Sequence, residues 1–199
     1  NLLPKRKILN FIPFSYVKKI NLKSAENSRI VQIGRITDNK NQIELLKAYQ
    51  KLNINIPLVF IGAEDESYLK KCKDYIKSHG LNNVQFLGYR ENPWFEVSEK
   101  DICVFTSKIE TFGMVYIESL LNGIPTIVSN NKGYESVKEI FSEGEMYPLG
   151  NTDALSKMIL DFLTNFDEKK QEMIQIAESK QMKVAIEKYL KKQDPEALT

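Results

Sequence analysis

The stretch Asp101–Ser129, DICVFTSKIETFGMVYIESLLNGIPTIVS, carries in one run the pattern that decides the fold. It opens with an almost wholly apolar run, Asp101–Ser107, whose length is typical of a buried strand. A turn at Gly113 follows, and Met114–Gly123 then has the apolar spacing of a short helix that ends at its own glycine. A second apolar run, Ile124–Ser129, begins directly afterwards. Strand, helix and strand in this order predict a parallel β–α–β unit, because parallel strands need a long crossover connection.

The same alternation extends in both directions from this unit. Apolar runs that end at glycine predict further strands at Arg29–Gly34, Ile56–Gly62, Asn83–Gly88 and a short one at Glu145–Gly150. Amphipathic spacing predicts helices at Asn41–Leu52, Ser67–Gly80 and Thr152–Leu163. Strands this apolar are typical of a parallel sheet that helices cover on both faces. The predicted fold class is therefore α/β, a Rossmann-like doubly wound parallel sheet of about six strands.

The pattern divides the chain into three parts. Residues 1–28 do not fit the alternation, contain Pro4 and Pro13, and are expected to form a connecting segment. Residues 29–165 contain the predicted sheet and are expected to form the ligand-binding domain. Residues 166–199 are polar with helical spacing and are expected to form a C-terminal helical tail.

Composition excludes several classes of protein. With 199 residues, of which 42% are hydrophobic, the chain is long and apolar enough to bury a core. The net charge of +2 argues against broad nucleic-acid binding but leaves room for a small anionic ligand held by local cations. No apolar run is long enough to span a membrane. The two cysteines lack metal-ligand spacing, so we expect reduced thiols, no metal site and a cytoplasmic location.

A first group of candidate residues follows the first predicted strand, in the stretch GRITDNK. Ligands of doubly wound sheets bind beyond the carboxyl ends of the strands. Arg35 lies at the strand's end and Lys40 at the start of the next helix, whose free N–H groups favour an anion. The alternative for Arg35 is an ion pair with a surface carboxylate, which is the commoner role of an arginine at a strand end.

A second group surrounds the turn at Gly113. Glycine allows close approach of a ligand to the backbone, and the N–H groups of Met114 and Val115 are helix-start donors suited to phosphate oxygens. Glu110 and Glu118 flank this turn, and carboxylates accept hydrogen bonds from hydroxyls rather than bind phosphate. Phosphate between hydroxyl-bearing groups describes a sugar nucleotide. The alternative for Glu118 is a solvated residue on a helix face.

Five segments occur in an order that resembles a known family: GRITDNK, VFIG, VQFLGY, FTSKIETFGMVYIESLLNGIPTIVS and DALSKMI. Over about residues 10–190 the chain resembles the C-terminal, donor-binding domain of retaining glycosyltransferases of family 4, which is one half of the two-domain GT-B fold. The most specific element is E-x7-E, formed by Glu110 and Glu118. The stretch NNKGYES departs from the family pattern, which often has a glycine pair and an acidic residue there.

The resemblance implies a role for each matching residue. Glu110 would contact the donor sugar and Glu118 the ribose, while Arg35 and Lys40 would hold the diphosphate and stabilise the leaving nucleotide. Arg35, Lys40 and Glu110 are thus the candidate catalytic residues. The other candidate donor-binding residues are Gly34, Tyr89, Arg90, Thr111, Phe112, Gly113, Met114 and Val115.

The resemblance also implies function and partners. The expected activity is transfer of a sugar from a UDP- or GDP-sugar to a glycan, lipid or other acceptor with retention of configuration, in the synthesis of polysaccharide or cell-envelope glycans. No metal cofactor is expected. Residues 1–28 would be the remnant of an interdomain linker, the partner would be an N-terminal acceptor-binding domain, and this chain alone would be inactive. Contact with the inner face of the membrane stays open, and the alternative function is a non-catalytic nucleotide-sugar-binding or interaction module.

Two aromatic residues are assigned structural roles. His79 precedes Gly80 at a predicted helix end, where an imidazole can meet the last carbonyls. Trp94 follows a proline at a predicted helix start, and core packing is its expected role.

Overall fold

The structure, a computed structural model, describes residues 22–110, 113–131 and 146–178. Its centre is a six-stranded sheet in which every neighbouring pair of strands is parallel. The spatial order is β3-β2-β1-β4-β5-β6. The strands are β1 (Ile30–Ile33), β2 (Leu58–Ile61), β3 (Val84–Phe86), β4 (Ile102–Phe105), β5 (Thr126–Asn130) and β6 (Met146–Pro148).

Helices connect and cover these strands. They are α1 (Gln42–Leu52), α2 (Glu66–Ser78), α3 (Met114–Leu121), α4 (Thr152–Thr164), α5 (Phe166–Glu178) and a short 3-10 helix, Pro93–Glu96. Alternate residues of each strand face opposite sides of the sheet, so each strand contributes to two cores. In β1, Val31 packs in the core beneath α3 and α5, whereas Ile30 packs in the core beneath α1, α2 and α4.

The observed architecture confirms the predicted Rossmann-like α/β fold. All four residues of β1, β2 and β4 are buried, which is the physical reason for their near-continuous apolar sequence. The observed strands are one or more residues shorter at most ends than the predicted runs. The boundary expected after residue 165 falls between α4 and α5.

Both cysteines are free and buried in the core. Cys72 lies in a lysine-rich stretch, yet its side chain is fully buried on the inner face of α2. Cys103 is likewise buried, in β4. Burial raises the pKa of the Cys72 thiol to about 12 and holds the pKa of Cys103 well above its usual range. Both cysteines are therefore neutral core thiols.

The strand order places a switch point between β1 and β4. From β1 the chain continues to β2 on one side, whereas β4 is followed by β5 on the other. In doubly wound sheets the crevice that holds the ligand lies at this point, beyond the carboxyl ends of the strands. Gly62, at the end of β2, lies against the same edge, because a Cβ there would be 2.2 Å from the carbonyl oxygen of Gly34.

Candidate functional site

Buried hydrogen bonds join the loops after β1 and β4 at the switch point. The main-chain oxygen of Lys40 accepts from Gln32 Nε2 and from Thr106 Oγ1, each at 2.9 Å. Gln32 Nε2 also lies 3.1 Å from Thr106 Oγ1, and the threonine hydroxyl is 3.0 Å from the main-chain oxygen of Asn41. Gln32 and Thr106 are buried, so water competes little for these contacts. The backbone of Lys40 is thereby held at the end of β4.

A second set of hydrogen bonds ties the same two loops together further out. Asn39 Nδ2 donates to the main-chain oxygen of Ile109 at 2.9 Å, and Asn39 Oδ1 accepts from the N–H of Ile109 at 3.2 Å. The N–H of Lys108 donates to the main-chain oxygen of Asn39 at 2.8 Å. These paired contacts resemble a short ladder and set the backbone just before Glu110.

The two sets of bonds bring Lys40 and Glu110 into contact. Lys40 Nζ forms an ion pair with Glu110 Oε1, and Ser107 Oγ donates to the same oxygen at 2.7 Å. The side chains are 22% and 14% exposed respectively, so the pair is shielded but reachable from the crevice. The aliphatic part of Lys40 passes over Gly34, where a Cβ would stand 3.6 Å from it. Three candidates, Gly34, Lys40 and Glu110, are thus adjacent.

Arg35 presents the remaining cation at this edge. Its main-chain oxygen accepts from Gln42 Nε2 at 3.0 Å, which anchors the backbone, while the side chain is exposed. In residues 22–110, 113–131 and 146–178 its guanidinium has no carboxylate partner. The alternative of a surface ion pair therefore has no support in the described part of the chain.

The two helix starts near the crevice differ in their free donors. The sequence predicted free N–H groups at the start of α1. The N–H of Ile43 instead donates to the hydroxyl of Tyr68 at 3.3 Å, so this donor is occupied. At α3, Gly113 has a φ of 56°, a left-handed conformation that favours glycine. Among the described residues, the N–H groups of Met114 and Val115 have no acceptor. The start of α3 therefore offers two N–H groups without an acceptor in the described residues, an arrangement that favours an anion.

Glu118 lies on α3 and is not a freely solvated residue. Its Oε2 accepts from Trp94 Nε1 at 2.9 Å, and its side chain is half-buried. Burial raises the pKa of Glu118, and the hydrogen bond from Trp94 opposes that rise in part. Trp94 is buried in the core as expected, and its indole N–H also orients this carboxylate. A buried indole N–H usually needs a hydrogen-bond acceptor, and this general rule is the sequence signal that could have predicted a partner for Trp94.

Tyr89 and Arg90 lie apart from this group. They follow β3, which is two strand spacings, or about 10 Å, from β1. Tyr89 is 70% exposed, and Arg90 Nε pairs with Glu96 Oε1 at 3.1 Å. That hydrogen bond is the main reason that the pKa of Glu96 is lowered. Glu96 is the last residue of the 3-10 helix that contains Trp94. The loop with Tyr89 and Arg90 is therefore linked to Glu118 only indirectly, through this helix and the indole of Trp94. Thr111 and Phe112 lie outside the described residues.

Four residues of the site were missed from the sequence: Gln32, Asn39, Thr106 and Ser107. Gln32 and Thr106 hold the backbone of Lys40. Ser107 holds the side chain of Glu110, and Asn39 holds the backbone of the residue before it. Gln32 had a usable signal, because it is a polar residue in the otherwise apolar strand IVQI. A buried amide in such a strand needs hydrogen-bond partners.

His79 has the structural role that the sequence indicated. It follows the last residue of α2, its ring stacks on that of Tyr75 with centroids 3.9 Å apart, and its Nδ1 is 2.9 Å from the main-chain oxygen of Tyr75. Over the described ranges no three metal-ligating side chains gather in one place. Within those same ranges, every helix is too short or too polar to cross a bilayer.

Comparisons with known proteins identify the family. A family model described as Glycosyl transferases group 1 matches residues 16–180. The capsular polysaccharide biosynthesis glycosyltransferase CapH of Staphylococcus aureus is 30% identical over an alignment of 169 residues that covers 79% of this chain and 47% of CapH. The poly(glycerol-phosphate) alpha-glucosyltransferase of Bacillus subtilis is 28% identical over an alignment of 144 residues that covers 70% of this chain and 21% of that protein.

Solved structures match in fold. Anabaena HepE in complex with UDP-glucose superposes with a TM-score of 0.70 at 22% identity, over 86% of this chain and 47% of that one. The sucrose-phosphate synthase of Thermosynechococcus elongatus superposes with a TM-score of 0.71 at 21% identity, over 92% of this chain and 47% of that one. The chain thus spans about half the length of CapH and of both these structures.

Proposed function

The chain belongs to the group 1 glycosyl transferase family, and we propose that its β1/β4 edge binds a nucleoside-diphosphate sugar. The observation that carries this proposal is the Lys40–Glu110 pair at the switch point, with Arg35 after β1 and the start of α3 after β4. This arrangement is the basis of the proposed site. It combines cations and free N–H donors for a diphosphate with a carboxylate for hydroxyls. The Anabaena HepE structures hold UDP and UDP-glucose on a similar fold, which supports a UDP-sugar, and a GDP-sugar is the second candidate.

The cations at this edge have a role in sugar transfer. When the bond between the anomeric carbon and the diphosphate oxygen breaks, negative charge grows on the diphosphate. Arg35 and Lys40 then stabilise the transition state more than the bound donor, which is the condition for catalysis. The acceptor oxygen forms its bond to the same face of the sugar, as in a retaining enzyme of family 4, and the acceptor's proton leaves with the diphosphate. These two residues supply the charge without a metal ion.

Glu110 and Glu118 hold hydroxyls at two ends of the donor. Glu110 lies beside Lys40 and would accept from the sugar. Glu118 has one oxygen occupied by Trp94, which orients the carboxylate and leaves the other oxygen for the ribose. We therefore expect Glu118→Ala to weaken UDP more than it weakens inorganic diphosphate. Equal losses for the two ligands in calorimetric titrations would contradict the ribose role.

The full-length enzyme needs more than this chain. We expect an N-terminal domain of the same enzyme to hold the acceptor, and residues 1–28 to be the linker from it. We expect this chain alone to bind donor without transferring sugar, in a cytoplasmic enzyme that builds polysaccharide or cell-envelope glycans. Sugar transfer by the isolated chain in a radiolabelled assay would contradict this expectation.

The decisive experiment is nucleotide binding. A thermal-shift panel of UDP, GDP and their sugars would be followed by calorimetry, with ADP and its sugars as the comparison nucleotide. Binding of UDP or GDP is expected at millimolar concentration or below. A folded chain that binds neither nucleotide at that concentration would overturn the proposal. Full-length protein that binds donor but transfers no sugar to any acceptor would instead support a non-catalytic module.

A further inference from the structure

We propose that the Lys40–Glu110 ion pair makes this edge prefer a sugar-bearing nucleotide over the bare nucleoside diphosphate, and so promotes release of the product. The inference rests on the proposed function, because it assigns a further consequence to the same site. It concerns discrimination between substrate and product rather than the identity of the sugar.

The first step is the charge that the site presents. Lys40 is already neutralised by Glu110, so Arg35 is the cation without a partner at this edge in the described ranges. A diphosphate that takes up Lys40 must draw it from Glu110 or share it. Either way, part of the stabilisation that the ion pair provides is lost when a ligand binds.

The second step is that Glu110 stays in place when Lys40 turns to a ligand. Ser107 Oγ holds Glu110 Oε1 at 2.7 Å, and Ser107 is itself buried. The main-chain oxygen of Ser107 accepts from Ser129 Oγ at 2.6 Å and from Asn131 Nδ2 at 3.0 Å. The backbone before Glu110 is tied to Asn39. The carboxylate charge is therefore fixed at this edge by contacts that do not involve Lys40.

The third step compares the two ligands. A sugar nucleotide brings hydroxyl donors to Glu110, and these replace the hydrogen bonds that Lys40 gave. A bare nucleoside diphosphate brings no sugar hydroxyl to Glu110, and its terminal phosphate carries additional negative charge. Glu110 is then an uncompensated anion close to another anion in a partly shielded site, where such repulsion is stronger than in water. The site consequently favours donor over product.

Glu110→Gln tests this directly, because glutamine has nearly the same shape, no charge and no ion pair with Lys40. We expect UDP to bind more tightly and UDP-glucose to bind equally or more weakly than in wild type. The ratio of the Kd for UDP to the Kd for UDP-glucose should fall about tenfold, the size of one charge-assisted contact. GDP and GDP-mannose are titrated in parallel. Ser107→Ala should lower the same ratio less, since the carboxylate can then turn away.

Glu168→Gln is the matched control. Glu168 lies in the first turn of α5, is exposed, and borders a surface pocket with Glu26 and Ser28, which precede β1 at the opposite edge of the sheet. This variant should leave the ratio unchanged. If neither nucleotide pair binds the wild type, the proposed function fails and the inference with it. If a pair binds but Glu110→Gln and Ser107→Ala weaken both ligands equally, or raise the ratio, the inference alone is overturned.

Discussion

An ion pair joins the segments that flank β1 and β4 at either end of this strand pair, Arg29–Asp101 at the amino end and Lys40–Glu110 at the carboxyl end, and the two are built differently. At the amino end Arg29, just before β1, meets Asp101, just before β4, through Nε–Oδ1 at 3.0 Å and Nη2–Oδ2 at 2.6 Å. Asp101 is fully buried and also accepts from the N–H of Ser98 at 2.8 Å. Arg29 Nη2 is further 2.7 Å from the main-chain oxygen of Glu96. The hydrogen bond that Arg29 donates to Asp101 is the largest of the effects that raise the pKa of Arg29.

The pair at the carboxyl end, Lys40 and Glu110, has a single nitrogen–oxygen contact and faces the crevice. A buried bidentate pair stays closed, because separating the partners would leave each one as an unpaired buried charge. A single-contact lysine pair can exchange its partner for a ligand. The difference fits a structural role for the pair at the amino end and the proposed ligand-binding role for the pair at the carboxyl end.

The largest expected effect is on the amino end. Asp101→Ala should lower the free energy of unfolding by about 3–5 kcal/mol, because it leaves Arg29 partly buried without its carboxylate. Glu110→Gln should lower it by about 1 kcal/mol or less, since a partly exposed pair contributes little. Urea unfolding followed by circular dichroism measures both. Equal losses of unfolding free energy in the two variants would show that the two ion pairs contribute equally to stability, contrary to this comparison.

The next effect tests the close packing at the carboxyl edge. Gly62→Ala places a Cβ 2.2 Å from the carbonyl oxygen of Gly34, and the backbone φ of 154° at Gly62 is itself unfavourable for alanine. The conformation alone costs about 1–3 kcal/mol, and the overlap adds to this. Gly80→Ala is the comparison, because its φ of 62° is also strained but no atom lies within 4 Å. A loss at Gly62 no larger than that at Gly80 would contradict the close approach.

A smaller effect is expected in binding rather than stability. Arg35→Ala should weaken UDP and inorganic diphosphate about tenfold, the loss of one charge-assisted hydrogen bond. Stability should change little, because the side chain is exposed and has no carboxylate partner in the described ranges. Lys73→Ala, an exposed cation on α2, serves as the control. If the Arg35 variant binds both ligands as tightly as wild type does, Arg35 does not contribute to anion binding.

The smallest effect concerns the pH dependence of stability at Glu118. Its folded-state pKa is raised, chiefly by burial, so its contribution to stability is fully present below the unfolded pKa and lost as pH rises through the folded pKa. As the pH rises and the carboxylate ionises, it therefore carries a desolvation cost that glutamine avoids. Glu118→Gln keeps an acceptor for Trp94 and should stabilise the protein by about 0.5 kcal/mol or less at pH 7. The gain should shrink as the pH falls towards about 4.

Thermal melts of wild type and Glu118→Gln across this pH range measure the gain. The same variant should bind UDP more weakly, so that stability and affinity move in opposite directions. A gain that stays constant with pH, or that grows as pH falls, would contradict the raised pKa.

Much of the fold could be read from local pattern. The run ICVF is apolar at every position, and the structure buries every one of its residues. Gly34, Gly62, Gly88 and Gly113 mark strand ends or a helix start, and each has a positive φ. Arg35, Lys40, Glu110 and Glu118 were identified because ligands of such sheets lie at the carboxyl ends of strands. What periodicity did not reveal was the strand order, since each strand is equally apolar whichever neighbour it pairs with.

The sequence by itself thus determined the elements, their alternation and the residue types at the ends of β1 and β4. Only the tertiary structure decided which side chains meet. Lys40 and Glu110 form a pair because hydrogen bonds from Gln32, Thr106 and Asn39 join two loops that are distant in sequence. Trp94 meets Glu118 because a 3-10 helix packs beneath α3. Helix and strand patterns depend on neighbours a few residues away, whereas these contacts depend on how separate strands are ordered in the sheet.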